Sequence, residues 1–305
     1  MIEIAILCRD RKDYFIESLE SAINQDYKDG PFKIKISDNS LGDEIEILYK
    51  ERYATNKNIE YIRRIPESTE NFRQVARESN AEFIVIFHDD DVLCNNYLSQ
   101  MMPIIKNDMS ISALACNSIH MSHSMERPFF IANLENKAII LDNPKEFLER
   151  YLPNSKGISS FPGYMYRTNY LVKTLKDKND AGKHSDVTML SDLSLSGQIV
   201  WTPEVLMLYR LHSSNDSNTN VIRDRVQLHR YMIKNGVEVQ NRNFKLFRLL
   251  AWLKHYEVNK IKLMKIINIR LNIFILNLDL VIKSLLNKCM KIIVGKKEFK
   301  KLVKR

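Results

Sequence analysis

Residues 83–91, Phe83-Ile84-Val85-Ile86-Phe87-His88-Asp89-Asp90-Asp91, constrain this chain more than any other stretch. Five apolar residues between polar neighbours predict a strand buried on both faces, as in a parallel sheet, although so short a run does not by itself exclude a helix. Such a strand delivers three consecutive carboxylates to its own C-terminal end. Adjacent like charges raise one another's pKa, so the cluster needs a cation, a protein base or water to offset it. A hard divalent ion, Mg2+ or Mn2+, meets that need and completes its shell with substrate phosphates. The competing reading is a solvated acidic turn that starts a helix near Asn95, and the residues upstream bear on the choice.

Upstream, strand and helix alternate. Residues 2–7 predict a first strand, and Tyr14, Phe15, Ser18, Leu19, Ala22 and Ile23 recur at helical spacing over 12–24. Past the turn Asp29-Gly30-Pro31, strands are expected at 32–37, 59–62 and 83–87, with helices at 43–53 and 71–79. This alternation predicts a parallel sheet covered by helices on both sides, with right-handed crossovers. Ligands of such sheets gather at the carboxyl ends of the strands. Here those ends carry Arg9, Asp38-Asn39-Ser40, Arg63-Arg64 and Asp89-Asp90-Asp91. Carboxylate and amide suit a base and ribose, guanidinium suits phosphate, and clustered acid suits a metal holding a diphosphate. No strand is followed by Gly-x-Gly-x-x-Gly or Gly-x-x-x-x-Gly-Lys-Ser/Thr, which argues against dinucleotide-dependent dehydrogenases and P-loop phosphotransferases.

A length of 305 residues allows one sizeable domain plus an appendage. The net charge of +9 is local: residues 236–305 hold 17 Lys/Arg against 4 Asp/Glu, and the rest of the chain is slightly acidic. A nucleic-acid enzyme would carry its positive charge on the catalytic body, so no nucleic-acid partner is expected. Cys8, Cys94, Cys116 and Cys289 are widely spaced, with neither zinc spacing nor a disulfide framework. Met1 runs directly into Ile2-Glu3-Ile4-Ala5 without a signal-peptide pattern, and a cytoplasmic location is expected.

The chain resembles the family 2 glycosyltransferases. The resemblance rests on Ile4-Ala5-Ile6-Leu7-Cys8-Arg9, Ser18-Leu19-Glu20-Ser21-Ala22-Ile23-Asn24-Gln25-Asp26-Tyr27, Ile34-Lys35-Ile36-Ser37-Asp38-Asn39-Ser40, and Asn71 ahead of His88-Asp89-Asp90-Asp91, in that order. It implies a GT-A fold: α/β, a mostly parallel central sheet flanked by helices, here with a helical C-terminal extension. It also implies an inverting, metal-dependent enzyme of bacterial polysaccharide type. By the same resemblance Asp38 contacts the nucleobase, usually uracil, with Arg9 and Arg63 or Arg64 nearby, and Asn39 and Asn71 belong to the nucleotide-sugar site. The triplet would be the D-x-D element, with Asp91 on the metal and Asp89 or Asp90 on the ribose or a second metal contact. His88 stands where many relatives carry another acid or an apolar residue.

The second half adds Phe161-Pro162-Gly163-Tyr164-Met165-Tyr166-Arg167, similar to the segment lining the donor-sugar and acceptor pocket. Gly163 permits close backbone approach and Tyr164 offers a flat face with a hydroxyl, though a tight turn between strands reads equally well. The resemblance makes Asp186, in His184-Ser185-Asp186-Val187, the general base, where the family's usual Glu-Asp pair is Ser185-Asp186. Asp192 is second choice, and helix capping is the alternative for either. Tyr209-Arg210-Leu211-His212 matches the element that approaches the diphosphate, with His212 as a metal ligand and Arg210 as counter-charge.

The expected division is a catalytic domain at 1–235, with a nucleotide-binding half at 1–95 and an acceptor-binding half at 96–235, followed by a basic amphipathic extension at 236–305. Its longest uncharged stretch, 271–278, is far below the roughly 18 residues of a membrane span. Trp252, Leu and Phe residues opposite cations suit an anionic membrane surface, where a lipid-linked acceptor would lie. Packing on the catalytic domain or on a second copy of the chain is the open alternative. The expected activity is transfer of a hexose or N-acetylhexosamine from a UDP-sugar to a glycan or lipid-linked saccharide, peripheral to the inner face of the cell membrane. A silent nucleotide- or glycan-binding module and a nucleotidyltransferase are the alternatives.

Overall fold

The computed structural model describes residues 1–66, 70–176, 182–213, 222–258 and 263–304. The N-terminal half runs β1 (Ile2–Cys8), α1 (Lys12–Ile23), β2 (Phe32–Asp38), α2 (Glu44–Arg52), β3 (Ile59–Arg63), α3 (Asn71–Glu78) and β4 (Phe83–His88). There follow β5 (Val92–Leu93), α4 (Tyr97–Asn107), β6 (Ile111–Ser122), β7 (Pro128–Ile131), β8 (Ile139–Leu141), α5 (Pro144–Glu149), β9 (Tyr164–Arg167), α6 (Thr168–Thr174) and α7 (Ser185–Leu193). The long β10 (Gln198–Leu211), α8 (Ile222–Lys234), α9 (Arg242–Val258) and α10 (Leu263–Val303) complete the described chain.

All strands join one sheet in the order β3-β2-β1-β4-β9-β6-β10-β5, with β7 on β6 and β8 on β10. The first four are parallel, as the alternation predicts. Beyond β4 the sheet is mixed: β9 runs antiparallel to both β4 and β6, while β10 is parallel to β6. Along β4 the period of two divides the apolar run between layers. Phe83, Val85 and Phe87 join Phe15, Leu19, Ile36 and Leu98 under α1, α2 and α4. Ile84 and Ile86 join Val75, Phe147, Leu190 and Trp201 on the other face. Each fully buried side chain of this kind contributes about 1.5–3 kcal/mol of transfer free energy, so the run is held from both sides. That is why it shows no alternation in sequence.

The β9 ladder covers only half of β4. It pairs Phe83, Ile84 and Val85 with Arg167, Tyr166 and Met165, and a 3-10 turn at Phe161–Gly163 then leads the chain away. The tip of β4 is left with β1 on one side and that turn on the other.

The 236–305 segment is helical, as expected, and is knitted into the body. Val237 and Phe244 join the second core layer. From α10, Val294, Phe299 and Leu302 pack on Ile119, Met121, Ile131 and Val205. Gly295 allows the closest approach: a Cβ there would lie 2.7 Å from the Ile131 amide nitrogen and 2.8 Å from the Phe130 carbonyl carbon. The helix is kinked at Asn277, whose φ of −139° is non-helical.

Candidate active site

The tips of β2, β1 and β4 lie side by side, with Cys8 paired in register to Asp38 and Leu7 to His88. The buried Cys8 thiol feels both acid groups: its pKa is pushed up by burial and by the charges of Asp89 and Asp38. At the left-handed Asp10 (φ 53°), the amide donates to Ser40 Oγ at 2.8 Å and a carboxylate oxygen accepts from the Leu41 amide at 2.9 Å, joining the loops after β1 and β2.

The acidic triplet is buried. Asp89 Oδ2 accepts from the Arg9 amide at 2.7 Å and its Oδ1 pairs with Arg11 at 3.0 Å. Burial raises the Asp89 pKa to about 7, with Arg11 opposing. Asp90 Oδ2 is shared by Arg11 and by His212 Nε2, the latter at 2.8 Å. Burial opposes ionisation there, but Arg11, His88 and His212 together hold the Asp90 pKa below its ordinary value. Asp91 Oδ1 accepts from the Arg210 amide at 2.9 Å, and burial together with Asp90 raises the Asp91 pKa well above the usual range.

Among the described residues, His88, Asp90 and Asp91 each offer a ligand atom within 4.8 Å of the others. Asp90 Oδ1 and Asp91 Oδ2 are buried with no hydrogen-bond partner. Two orphaned carboxylate oxygens beside an imidazole fit a divalent cation, because each buried acceptor otherwise stays unsatisfied. This set differs from the expected Asp91, Asp89 and His212. Asp89 has its oxygens turned to Arg9 and Arg11, and His212 reaches the triplet through Asp90 while its ring lies against Tyr14 at 5.1 Å. The strand period explains His88: it follows Ile84 and Ile86 on one face of β4.

That face opens into a cavity of about 1140 Å³ lined by Leu7, His88, Phe161, Asp186, Tyr209 and residues around them. Asp186 sits in the first turn of α7, where burial raises its pKa to about 6 and the amides of Val187 and of Asp186 itself oppose the rise. His88 and Asp186 therefore share one chamber. Asp192, the second choice, also lines it but is tied to Lys176 at 2.6 Å and to the Tyr231 hydroxyl.

Other expected site residues occupy different positions. Asp38 is fully buried, accepting from the Ser40 amide, the Tyr61 hydroxyl and Arg63 at 2.9, 2.7 and 2.9 Å. Arg63, its side chain about one-third exposed, is the open member of that cluster, and Asn39, next to Asp38 in the chain, is buried. Asn71 is buried against Ser37, donating to its carbonyl and accepting from its hydroxyl. Gly163 makes its close approach to Cys116 Sγ, which a Cβ would meet at 3.1 Å. Tyr164, expected to face a sugar, points into the core: it is 1% exposed, stacks on Tyr166 and accepts from Trp201 Nε1 at 2.7 Å. Phe161, three residues earlier, lines the cavity. Arg210, expected near a diphosphate, is 1% exposed and holds the carbonyls of Asp90 and His123, the Glu17 carboxylate and the face of Tyr14. Sequence reasoning named His88 and Phe161 only within their motifs, gave neither a site role, and passed over Arg11. The two-residue period of a strand, which sets residue 88 on the face of 84 and 86, carried the signal for His88.

The sequence profile of Glycosyl transferase family 2 matches residues 3–171. No curated protein sequence matches the chain significantly. Among solved structures, S. aureus TarS superposes with a TM-score of 0.59 at 14% identity over 87% of this chain and 46% of that one, so the chain spans less than half of TarS. TarS 1–349 in complex with UDP-GlcNAc gives 0.61 at 15% identity, covering 88% and 79% of the two chains. The mannosyltransferase PcManGT from Pyrobaculum calidifontis, in complex with GDP-Man and Mn2+, gives 0.52 at 10% identity, covering 94% and 73%. These likenesses establish the GT-A fold. With the family pattern spanning more than half of its length on that fold, the chain belongs to glycosyl transferase family 2.

Proposed function

We propose that the chain is a metal-dependent inverting transferase that moves a hexose or N-acetylhexosamine from a UDP-sugar to a hydroxyl of a glycan or lipid-linked saccharide in surface polysaccharide synthesis. The observation that carries this reading is the shared chamber: His88, next to the orphaned oxygens of Asp90 and Asp91, and Asp186 line the same cavity. A UDP donor is favoured because TarS structures hold UDP and UDP-GlcNAc.

His88, Asp90 and Asp91 would hold Mn2+ or Mg2+, which supplies charge neutralisation for a leaving diphosphate. Arg11 and His212 fix Asp90, and the buried fork of Arg210 fixes the turn. Arg63, backed by Asp38, together with Arg9 and Asn39 would grip base and ribose. Asp186 takes the proton from the acceptor hydroxyl as its oxygen bonds to the anomeric carbon, and the sugar–phosphate bond breaks with its electron pair leaving on the diphosphate. A base lifted to about 6 is ionised at neutral pH yet more basic than an exposed carboxylate. Thermal-shift titration with UDP-sugars and GDP-sugars, with and without Mn2+, tests the reading. A shift with a UDP-sugar that needs Mn2+ is expected, and stabilisation by none of these donors overturns it.

Residues 1–235 are proposed as the catalytic domain and α9 and α10 as its membrane-facing side. Among the described residues no helix is long and apolar enough to cross a bilayer. On the face of α10 away from the body, Leu278, Ile282, Leu285, Leu286 and Ile293 are exposed beside Lys283 and Lys288. Such a stripe suits the inner surface of an anionic membrane. Leu278 and Leu285 changed together to Gln should abolish flotation with phosphatidylglycerol vesicles. Retained flotation overturns the assignment, as does a mutation-sensitive dimer in solution, which would show the stripe facing a second copy.

A further inference from the structure

One end of the cavity is built from groups that the transfer chemistry does not use. Lys291 enters it from α10, carried there by the close seat of Gly295 on β7. Its ammonium occupies the space that a side chain at Gly157 would need: a Cβ at Gly157 would stand 2.6 Å from Lys291 Nζ. Among the described residues no carboxylate pairs with it. His120, also in the cavity wall, is stacked between Phe130 and Tyr209 at centroid distances of 4.4 and 4.6 Å. Its Nε2 lies 3.3 Å from Ser160 Oγ and its Nδ1 is buried without a partner. Ser159 Oγ, on the same rim, is likewise buried and unpartnered.

Two buried polar atoms without partners and one half-buried cation therefore converge on one end of the chamber. Each unpaired buried polar atom is unfavourable, and a half-buried cation facing no carboxylate draws an anion. Burial lowers the Lys291 pKa, and burial together with the Lys291 charge pushes His120 down to about 3. The site is thus short of one negative charge and rich in donors.

We propose that Lys291, with Ser159, Ser160 and His120, forms a subsite for an anionic group, phosphate or carboxylate, carried by the acceptor saccharide. An anion there supplies the missing counter-charge and accepts from the ammonium and the hydroxyls. The carrier is assigned to the acceptor because the donor's diphosphate belongs with His88, Asp90 and Asp91, an assignment that rests on the function proposed above. The subsite itself does not depend on that reading. By this arrangement α10 is part of the specificity of the enzyme.

The experiment uses the full chain and two variants, Lys291→Met and Lys291→Arg. Inorganic phosphate and acetate are titrated as probes of the subsite, and UDP with Mn2+ as probe of the donor site. Phosphate or acetate is expected to bind the parent and Lys291→Arg, and Lys291→Met to bind them at least tenfold more weakly, with UDP affinity equal in all three. Without ligand, Lys291→Met is expected to melt no lower than the parent, since it loses a charge with no partner. Equal anion binding by Lys291→Met overturns the proposal, as does a lower melting temperature of the free variant. Loss of UDP affinity in Lys291→Met would place the lysine on the donor and overturn the acceptor assignment. Failure of UDP to bind any of the three, with anion binding intact, would overturn the UDP-donor reading and leave the subsite standing.

Discussion

The backbone amide of Arg210 donates to Oδ1 of Asp91 at 2.9 Å, so the end of β10 is fastened to the turn that follows β4. The same arginine clasps the Asp90 carbonyl with its Nε at 2.8 Å. A residue near the end of the catalytic body thus fixes the backbone of an acidic turn formed far earlier in the chain. Its guanidinium is a strut whose loss would be felt at the side chains proposed to hold the metal.

Arg210→Ala should destabilise the protein by about 2–4 kcal/mol, because the carbonyls of Asp90 and His123 lose their donor and the core loses volume. Arg210→Lys should recover little of this, since an ammonium cannot reproduce the planar fork. Urea denaturation reads the stability, and a parallel Mn2+ titration should show weakened binding in both variants. Full Mn2+ affinity in Arg210→Ala would separate the strut from the metal site.

Asp186→Asn should lower turnover by roughly 10²–10⁴-fold while leaving donor affinity unchanged. In the parent, kcat/KM should rise with pH through about 6, the value to which burial lifts Asp186. The stability effect has the opposite slope. A carboxyl whose folded pKa exceeds its ordinary 3.8 stabilises the fold while neutral, fully below the ordinary value, and that contribution is lost as pH rises through about 6. Asp186→Asn should therefore melt higher than the parent at pH 8 and nearly equal to it at pH 4. Undiminished turnover in the variant would remove Asp186 as the base.

His88→Ala and Asp91→Asn should each weaken Mn2+ binding by about 10–100-fold, the scale of a lost ligand or supporting group. Asp89→Asn should weaken it less, because Asp89 serves Arg9 and Arg11. Burial and Asp90 hold the Asp91 pKa up, so loading should release protons and tighten as pH rises. Calorimetry in two buffers of different ionisation enthalpy measures that release. Addition of EDTA should abolish transfer.

Gly295→Ala should cost about 1–3 kcal/mol by overpacking, since the new Cβ would meet backbone atoms of Phe130 and Ile131 that cannot rotate away. The displaced helix should carry Lys291 with it, so anion binding should fall together with stability. Thermal melts with and without phosphate give both readings, and an unchanged melting temperature would show that α10 does not seat there.

The N-terminal half was legible because its signals are local. Each of the four parallel strands and the three intervening helices lies within a residue or two of its expected place, since apolar period and turn residues fix such elements without distant help. The triplet was equally visible, but its geometry was not. His88 and Asp186 come to one cavity only through tertiary packing, and the enclosure of Asp38 depends on Tyr61 and Arg63 from the neighbouring strand. Tyr164 was misjudged because a ring two residues from another aromatic, Tyr166, lies on the same face of a strand. That face here belongs to the core. The basic charge of 236–305 drew attention outward, to a membrane, and concealed that Gly295 and Phe299 turn part of α10 inward.

The short β9 ladder has a further consequence. Continued in the same register, it would set Gly163 opposite Phe87 and Phe161 opposite Asp89, and the opening beside His88 would close. The size of the aperture is therefore set by where a three-residue pairing stops, independently of the groups that perform the reaction. Lengthening or shortening the segment ahead of Tyr164 is thus a dial on what can enter the cavity, one that evolution or an engineer can turn while the acidic turn and Asp186 stay in place.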